Sequence, residues 1–182
     1  MTPLRKGFLF FVVWIAFILP LRAQNDPAIQ FFYTMPPNDD PVVYDGEQLF
    51  HLGARQAFIE NVDLAQKTIE GSFYQINDPF VIEAFLRAVQ RNVEVTLTSD
   101  DEWLESKGYA EAYGRLEAGG VQIIFDQRRA LNHNKYCIFD RKRVWFGSTN
   151  ITTQGSIESG DASFLIHDPD VAKIFLADFL QT

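Results

Sequence analysis

The chain has 182 residues, of which 47% are hydrophobic, so it is long enough to bury a sizeable core and lacks the composition of a disordered protein. Its net charge of −8 argues against a general attraction to nucleic acid or to anionic membranes. Its single cysteine, Cys137, excludes an intrachain disulfide, and its position on a predicted strand favours a small core residue over a nucleophile.

The first 23 residues have the composition of a secretory signal peptide. A pair of basic residues precedes an apolar run at 8–19, and the small residue Ala23 ends the segment. This run is shorter than the roughly 20 residues that span a bilayer, which favours a cleaved signal over an uncleaved anchor. We therefore predict a secreted or periplasmic protein whose mature part, residues 24–182, is a single domain. Cleavage removes three positive charges from a net charge of −8, which leaves −11.

Hydrophobic periodicity and breaker residues predict alternating strands and helices, followed by a run of strands. Strands are predicted at 28–34, 72–76, 93–98, 121–125 and 162–167. Helices are predicted at 46–68, from Asp78-Pro79 onward, at 100–116, and from Asp168-Pro169 onward with Val171, Ile174, Phe175 and Phe179 inward. Residues 152–160 are predicted to form a loop. This order favours an α/β fold with a mixed sheet and helices on both of its faces.

Residues 132–150 are predicted to form a β-hairpin with the charged trio 141–143 at its turn. If Asp140 pairs with Arg143, Lys135 lies opposite Ser148 and His133 lies opposite Asn150. Directly opposed residues have Cβ atoms only about 5 Å apart, so these four side chains would converge on one patch. A one-residue shift of the register would scatter them.

The four side chains have the chemistry for phosphoryl transfer without a metal. Histidine acts as a nucleophile or proton shuttle near neutral pH, and lysine supplies a fixed positive charge. The amide and the hydroxyl donate hydrogen bonds to anionic oxygens. Candidate metal ligands are scattered without zinc spacing, and the acidic residues at 100–102 are interpreted as helix capping, so we predict neither a metal nor a cofactor.

Two motifs with defined spacing occur in the hairpin. They are H-x-K-x4-D, formed by His133, Lys135 and Asp140, and G-S-x-N, formed by Gly147, Ser148 and Asn150. Together they resemble the signature of the phospholipase D superfamily, and the resemblance covers nearly all of the mature chain. It implies a β-α-β-α sandwich with a mixed central sheet, and hydrolysis of a phosphodiester through a phosphohistidine intermediate.

The sequence contains only one H-x-K motif, which supplies half of such a site. His51, in a predicted helix, and His167, at a strand end, have no lysine two residues later, and we predict both to be surface residues. In the family that the chain resembles, single-motif members pair two chains. The resemblance therefore implies a C2 homodimer in which His133 of one chain attacks phosphorus and His133 of the other protonates the leaving oxygen.

The resemblance also assigns roles to other residues. Lys135 and Asn150 of both chains would hold the non-bridging oxygens, with Ser148 assisting. Asp161 stands where the family usually carries a glutamate that orients the histidine, and it is one methylene shorter.

Other roles follow from position along the predicted strand. Asp140 faces the opposite side of the strand from His133, so we assign this third letter of the motif to fixing the turn. Arg128 and Arg129 lead into the His133 strand and are predicted to bind substrate at the mouth of the site.

Several functions fit this sequence. A phospholipid substrate is favoured because a headgroup needs one phosphate site and no long basic track. The alternatives are a non-specific endonuclease on the same site, a catalytically silent anion-binding module, and the first half of a two-motif protein. The aspartate at position 161 favours the silent module.

Overall fold

The computed structural model describes residues 28–34, 43–44, 47–48 and 53–181, so the predicted signal peptide and His51 lie outside the described residues. Nine strands are present in this part of the chain: β1 Ile29–Tyr33, β2 Val43–Tyr44, β3 Glu47–Gln48, β4 Thr68–Phe73, β5 Glu94–Asp100, β6 Gln122–Asp126, β7 Lys135–Phe139, β8 Arg143–Gly147 and β9 Ala162–Ile166. Among the described residues, strands β2 and β3 form a separate two-stranded sheet.

The other seven strands form one mixed sheet in the order β1-β9-β8-β7-β4-β5-β6. The three strands β4, β5 and β6 are parallel. The remaining neighbours pair antiparallel, including the junction between β4 and β7. The predicted mixed sheet is confirmed.

Helices cover both faces of the sheet, as predicted. They are α1 Ala54–Leu64, α2 Pro79–Gln90, α3 Lys107–Ala118, α4 Thr153–Ile157 and α5 Pro169–Phe179. Phe58 of α1, Phe85 of α2 and Leu116 of α3 share one core cluster with Cys137 of β7. Tyr136 and Ile138 of β7 belong instead to a second cluster with Ala172 and Phe179 of α5. Because successive side chains of β7 point to opposite faces of the sheet, this strand contributes to both core clusters.

Cys137 is a core residue, as the sequence indicates. Its side chain is fully buried, and burial raises the pKa of its thiol well above the usual value. None of the helices in the described part of the chain is both long enough and apolar enough to cross a bilayer.

The two predicted helix starts with an aspartate and a proline are confirmed. The Asp78 carboxylate accepts a hydrogen bond of 2.9 Å from the backbone N–H of Phe80. The Asp168 carboxylate accepts one of 2.7 Å from the N–H of Asp170. Each bond satisfies a donor that has no partner within the helix. The predicted inward position of Ile174 on the last helix is wrong, because its side chain is 70% exposed.

The predicted helix at 46–68 is too long, and the strand that follows it starts earlier than predicted. The four apolar residues that suggested the helix, Phe58, Val62, Ala65 and Ile69, are all buried. However, α1 ends at Leu64, and Ile69 lies in β4. The carboxylate of Asp140 accepts the backbone N–H groups of Gln66 and Lys67 at 3.0 and 2.7 Å, which turns the chain into β4.

The predicted helix at 100–116 is split. Asp100 ends β5, a 3-10 turn covers Asp101–Trp103, and α3 begins only at Lys107. Asp100 caps the turn, since its Oδ1 accepts the N–H of Glu102 at 3.0 Å. The predicted loop after Asn150 contains the short helix α4, which begins after Thr152, whose hydroxyl accepts the N–H of Gly155 at 2.9 Å.

The predicted hairpin exists, but its register differs from the prediction by one residue. Tyr136 pairs with Phe146 and Phe139 with Arg143, so Asp140 does not pair with Arg143. The cause is the turn, where Asp140 and Arg141 both adopt the left-handed conformation, with φ of 54° and 55°. This geometry closes the turn through a hydrogen bond from Lys142 N–H to the Phe139 carbonyl.

Candidate active site

His133 lies in the loop just before β7 and is exposed to solvent. Its ring packs against Tyr74, with 4.8 Å between ring centroids. The Nζ of Lys135 donates a 3.0 Å hydrogen bond to the backbone carbonyl of His133 and lies 5.4 Å from the centroid of the Tyr74 ring. His133 and Lys135 therefore both lie against the ring of Tyr74, and the imidazole of His133 remains exposed to solvent.

A buried polar network anchors the loop that carries His133. The neighbouring Asn132 is only 2% exposed, and its backbone N–H donates a 2.7 Å hydrogen bond to Asp100. Its side-chain oxygen accepts a 3.2 Å hydrogen bond from Ser72, which in turn accepts one of 2.8 Å from Thr98. Because buried, satisfied networks resist rearrangement, the backbone beside His133 is held by β4 and β5.

Lys135 is half-buried beside the histidine. Desolvation lowers the pKa of its ammonium, while the negative charge of Asp161 partly opposes this effect. The ammonium of Lys135 is thus close enough to Asp161, which follows the G-S-x-N motif, for their charges to interact. This holds although the register of β7 and β8 differs from the predicted one by one residue.

Asp161 contacts Ser148. The Ser148 hydroxyl donates a 2.8 Å hydrogen bond to Asp161 and accepts one of 3.1 Å from the backbone N–H of Ala162. Within the described chain, no hydrogen bond joins Asp161 to His133, which agrees with the shorter reach of an aspartate. The Ser148 hydroxyl already donates its proton to this carboxylate. The role of the serine is therefore to hold Asp161 and the end of β8 in position.

Gly147 allows the close approach that this contact requires. A Cβ at this position would clash with the carbonyl oxygen of Ala162 and would lie 2.7 Å from Cα of Ser163. Thr149 then points inward, where its hydroxyl hydrogen-bonds to that of Ser163 at 2.8 Å. Gly147 and Thr149 therefore fix the path of the backbone and with it the position of Asn150.

Asn150 is half-buried and lines a cleft of about 340 Å³. Its Oδ1 is buried and has no hydrogen-bond partner among the described residues. Lys135 would face Gly147 in the observed register, so the start of the first motif and the end of the second lie at the same end of β7 and β8, which we call the motif edge. His133, Lys135, Ser148, Asn150 and Asp161 therefore gather at this edge, despite the register shift that was predicted to scatter the first four.

Asp140 is far from this edge. It follows the last residue of β7, whereas Lys135 is the first residue, so about 16 Å of strand separates them. Its carboxylate accepts the backbone N–H groups of Gln66, Lys67 and Thr68. This placement agrees with the assignment of Asp140 to the turn, although its partners lie just before and at the start of β4.

The basic residues near the two motifs are mostly paired or lie at the turn end of the hairpin. Arg141 and Arg143 lie at the turn end of the hairpin, where they bond to Glu70 at 2.9 Å and to Asn61 at 2.6 Å. Arg128 forms an ion pair with Asp126 at 2.6 Å, which raises the pKa of the guanidinium. Arg129 is exposed. Of the two arginines predicted to bind substrate, Arg128 is therefore paired and Arg129 is exposed.

His167 lies at the opposite end of the sheet from His133. It follows Ile166, which pairs with Val144 near the turn end of β8. Within the part of the chain that the structure describes, His133 is thus the only histidine at the motif edge, and no group of three or more metal-ligating side chains occurs.

Sequence reasoning missed Tyr74 and the network around Asn132. Tyr74 supports both motif residues, and its hydroxyl donates a 2.9 Å hydrogen bond to Glu102. A tyrosine within the predicted strand 72–76 carries no local signal for this role. Asn132 directly precedes the motif histidine, but its partners are 32 to 60 residues away in the chain.

An exposed histidine beside a lysine, with a serine and an asparagine at the same end of the central strands of a mixed sheet, is the arrangement expected of a phospholipase D-like domain. A family model described as "Cardiolipin synthase, PLD-like domain" matches residues 58–182. The chain belongs to this family.

Curated relatives and solved structures agree with this membership. The chain is 28% identical over 125 residues to a phospholipase D of Rickettsia felis, covering 68% of this chain and 62% of the relative. It is 27% identical over 115 residues to the mitochondrial cardiolipin hydrolase of Mus musculus, covering 63% of this chain and 51% of the relative. The match thus spans about half to three fifths of these relatives.

The fold is similar to that of Nuc, a phospholipase D family member from Salmonella typhimurium. The TM-score is 0.72 at 21% identity, covering 84% of this chain and 91% of Nuc. NucT from Helicobacter pylori is similar at a TM-score of 0.63 and 15% identity, covering 70% of this chain and 86% of NucT.

Proposed function

We propose that this chain is the subunit of a homodimeric, metal-independent phosphodiester hydrolase that acts on phospholipids. The observation that carries the proposal is the exposed imidazole of His133, backed by Tyr74 and adjacent to the half-buried Lys135. Family membership supports phosphodiester chemistry. The relatives described as phospholipase D and cardiolipin hydrolase support a phospholipid substrate.

In the first step, a ring nitrogen of His133 attacks phosphorus and the bond from phosphorus to the leaving oxygen breaks. The leaving alkoxide takes a proton from the protonated His133 of the second subunit, which stands in line on the other side. The product is an alcohol and a phosphohistidine. In the second step, water attacks phosphorus and gives a proton to the neutral His133 of the second subunit, while the bond from phosphorus to the nitrogen of the first His133 breaks. This step releases a phosphate monoester and restores the neutral imidazole of the first His133.

Fixed charge and hydrogen bonds from both subunits stabilise the transition state. The ammonium of Lys135 and the amide of Asn150 bind the non-bridging oxygens, where negative charge accumulates. Asp161 holds Ser148 and supports the positive charge of Lys135 rather than orienting the histidine.

The second subunit is needed because the described part of one chain offers a single histidine at the motif edge. His167 is separated from this edge by the length of β8, so it does not reach the leaving group. A twofold axis beside His133 supplies the second imidazole with the same surroundings as the first.

The paired arginines favour a lipid over a nucleic acid. A polyanion gains affinity from a row of unpaired cations, and here Arg128 is neutralised by Asp126. Arg141 and Arg143 lie at the far end of the hairpin. A phospholipid needs only one phosphate site.

The test measures headgroup release from phospholipid vesicles and nicking of supercoiled plasmid in parallel, both with excess EDTA. We expect EDTA-resistant headgroup release that is lost in His133→Asn and retained in the matched control His167→Asn. Plasmid nicking without headgroup release would instead identify an endonuclease. Loss of activity in EDTA would contradict the metal-independent mechanism, and inactivity of the wild-type dimer on both substrates would favour a silent anion-binding module.

A further inference from the structure

The imidazole of His133 has no side-chain hydrogen bond to any of the described residues. The carboxylate of Asp161, to which the family resemblance assigned the orientation of the histidine, is bonded to Ser148 instead. A nucleophilic imidazole still has to present one nitrogen to phosphorus, because in-line attack requires a defined direction of approach. Another contact must therefore set the orientation of the ring.

The ring of Tyr74 makes such a contact. Its centroid lies 4.8 Å from that of the His133 ring, and the two ring planes are tilted by 56°. This separation falls within the range of about 4.5–7 Å at which aromatic rings attract each other. The ammonium of Lys135 lies against the same tyrosine ring, with Nζ 5.4 Å from the centroid. One side chain therefore restricts the rotation of the imidazole and also contacts the motif lysine.

Tyr74 is itself held at its backbone and at its ring. Its N–H donates a 2.9 Å hydrogen bond to the carbonyl of Asn134, which lies between the two motif residues. Its own carbonyl accepts a 3.4 Å hydrogen bond from the Ser99 hydroxyl. Trp103 packs edge to face against the tyrosine ring, with 5.5 Å between centroids. The side chain that contacts His133 therefore has little freedom to turn.

Glu102 holds the outer end of the tyrosine. Its carboxylate accepts a 2.9 Å hydrogen bond from the Tyr74 hydroxyl. Burial and this carboxylate both raise the pKa of the phenol, so the hydroxyl remains a donor at neutral pH. The Asp100 carboxylate accepts the backbone N–H groups of both Glu102 and Asn132, at 3.0 and 2.7 Å. The same aspartate thus connects the turn that carries Glu102 to the residue before His133.

We propose that Tyr74 is a positioning residue whose ring, held in place by Glu102, directs the His133 imidazole at phosphorus in place of an orienting carboxylate. The inference rests on the proposed function. Because the phenol already donates its proton to Glu102, the role belongs to the aromatic ring and not to the hydroxyl. Phenylalanine should therefore replace this tyrosine, whereas an aliphatic residue should not.

The first test compares Tyr74→Phe with Tyr74→Leu in the hydrolysis of bis(p-nitrophenyl) phosphate. Phenylalanine keeps the ring and loses only the hydrogen bond to Glu102, so kcat should fall by no more than about fivefold. Leucine leaves the imidazole without an aromatic contact. Since misplacing a reacting group by about 1 Å can cost about 100-fold in rate, we expect a loss of that order in Tyr74→Leu.

Two results would overturn the inference. A near wild-type kcat in Tyr74→Leu would show that the ring does not orient the histidine. A loss in Tyr74→Phe as severe as that in Tyr74→Leu would assign the role to the hydroxyl.

Glu102→Leu tests the same arrangement at an exposed position, where a substitution does not disturb the core. We expect kcat to fall by about two- to fivefold in the wild-type background. It should not fall further in the Tyr74→Phe background, because the carboxylate acts through the phenol. The matched control is Glu105→Leu, at an exposed glutamate in the same segment, which should leave kcat unchanged. Equal losses from Glu102→Leu in both backgrounds, or no loss in either, would contradict the inference.

A spectroscopic measurement separates the failure of this inference from the failure of the proposed function. The ring-proton resonances of His133, identified by their loss in His133→Asn, are displaced by the ring current of an aromatic neighbour at 4.8 Å. They should stay near their wild-type positions in Tyr74→Phe and move toward those of free histidine in Tyr74→Leu. Unmoved resonances in Tyr74→Leu would contradict the inference. Inactivity of the wild type on every phosphodiester would contradict the proposed function and would leave this comparison valid.

Discussion

The Ser148 hydroxyl donates a 2.8 Å hydrogen bond to Asp161, and the charge of this carboxylate acts on Lys135. The contact links the second motif to the first across the end of the hairpin. Asp161 therefore stabilises the cationic form of the lysine on which the proposed phosphate site depends.

Removing this charge should shift the alkaline limit of activity. Desolvation lowers the pKa of Lys135, so the cation that we propose to bind phosphate loses its proton at a lower pH than an ordinary lysine does. Asp161 opposes this effect. In Asp161→Asn the pKa of Lys135 should fall further, and the alkaline limb of the kcat/KM profile should move to lower pH.

The control for this shift is Asp170→Asn, which changes an exposed carboxylate paired with Lys173 on α5. Its pH profile should match that of the wild type. An unchanged alkaline limb in Asp161→Asn, with the acid limb altered instead, would show that Asp161 acts on the histidine.

Gly147→Ala should destabilise the domain. The added Cβ would clash with Ala162 and lie 2.7 Å from Cα of Ser163, both backbone positions that cannot move aside cheaply. We expect a loss of about 1–3 kcal/mol in the free energy of unfolding, measured by urea denaturation.

Gly114→Ala is the matched control, because apart from its chain neighbours and the backbone of helix α3 itself, no atom lies within 4 Å of the added Cβ. It should raise the free energy of unfolding by about 0.5–1 kcal/mol. Equal effects of the two substitutions would contradict the close approach of β8 and β9.

Asp140→Ala should lower stability while leaving the chemistry intact. The carboxylate accepts three backbone N–H groups before and at the start of β4, and it lies at the far end of the hairpin from Lys135. We expect a loss of about 1–3 kcal/mol in the free energy of unfolding and a near wild-type kcat at a temperature where the variant is folded.

Asp140→Asn retains one acceptor oxygen and should lose less stability than Asp140→Ala. A large fall in kcat for a folded Asp140→Ala protein would assign this third letter of the motif to catalysis.

The fold class and the placement of both motifs could be predicted because their signals are local. A proline after an aspartate marks a helix start, and the alternation along 135–139 marks a strand that is buried on both faces. The hairpin register could not be predicted in this way. It depends on the left-handed conformations of Asp140 and Arg141, which no Asn-Gly signal announces.

The surroundings of the site depend on contacts between distant parts of the chain. Tyr74 meets His133 only because β4 and β7 pair, and Asn132 reaches Asp100 across 32 residues. The ion pair between Arg141 and Glu70 also depends on the folded chain, because 71 residues separate the two side chains.

Subunit mixing tests the central claim that two copies of His133 share one phosphate. Wild-type and His133→Asn chains are exchanged at varying ratios and a constant total concentration, and the hydrolysis of a soluble phosphodiester is measured. If each site needs both imidazoles, only wild-type pairs are active, so activity follows the square of the wild-type fraction and falls to about one quarter at equal amounts. Activity that falls linearly, to about one half, would contradict the shared site.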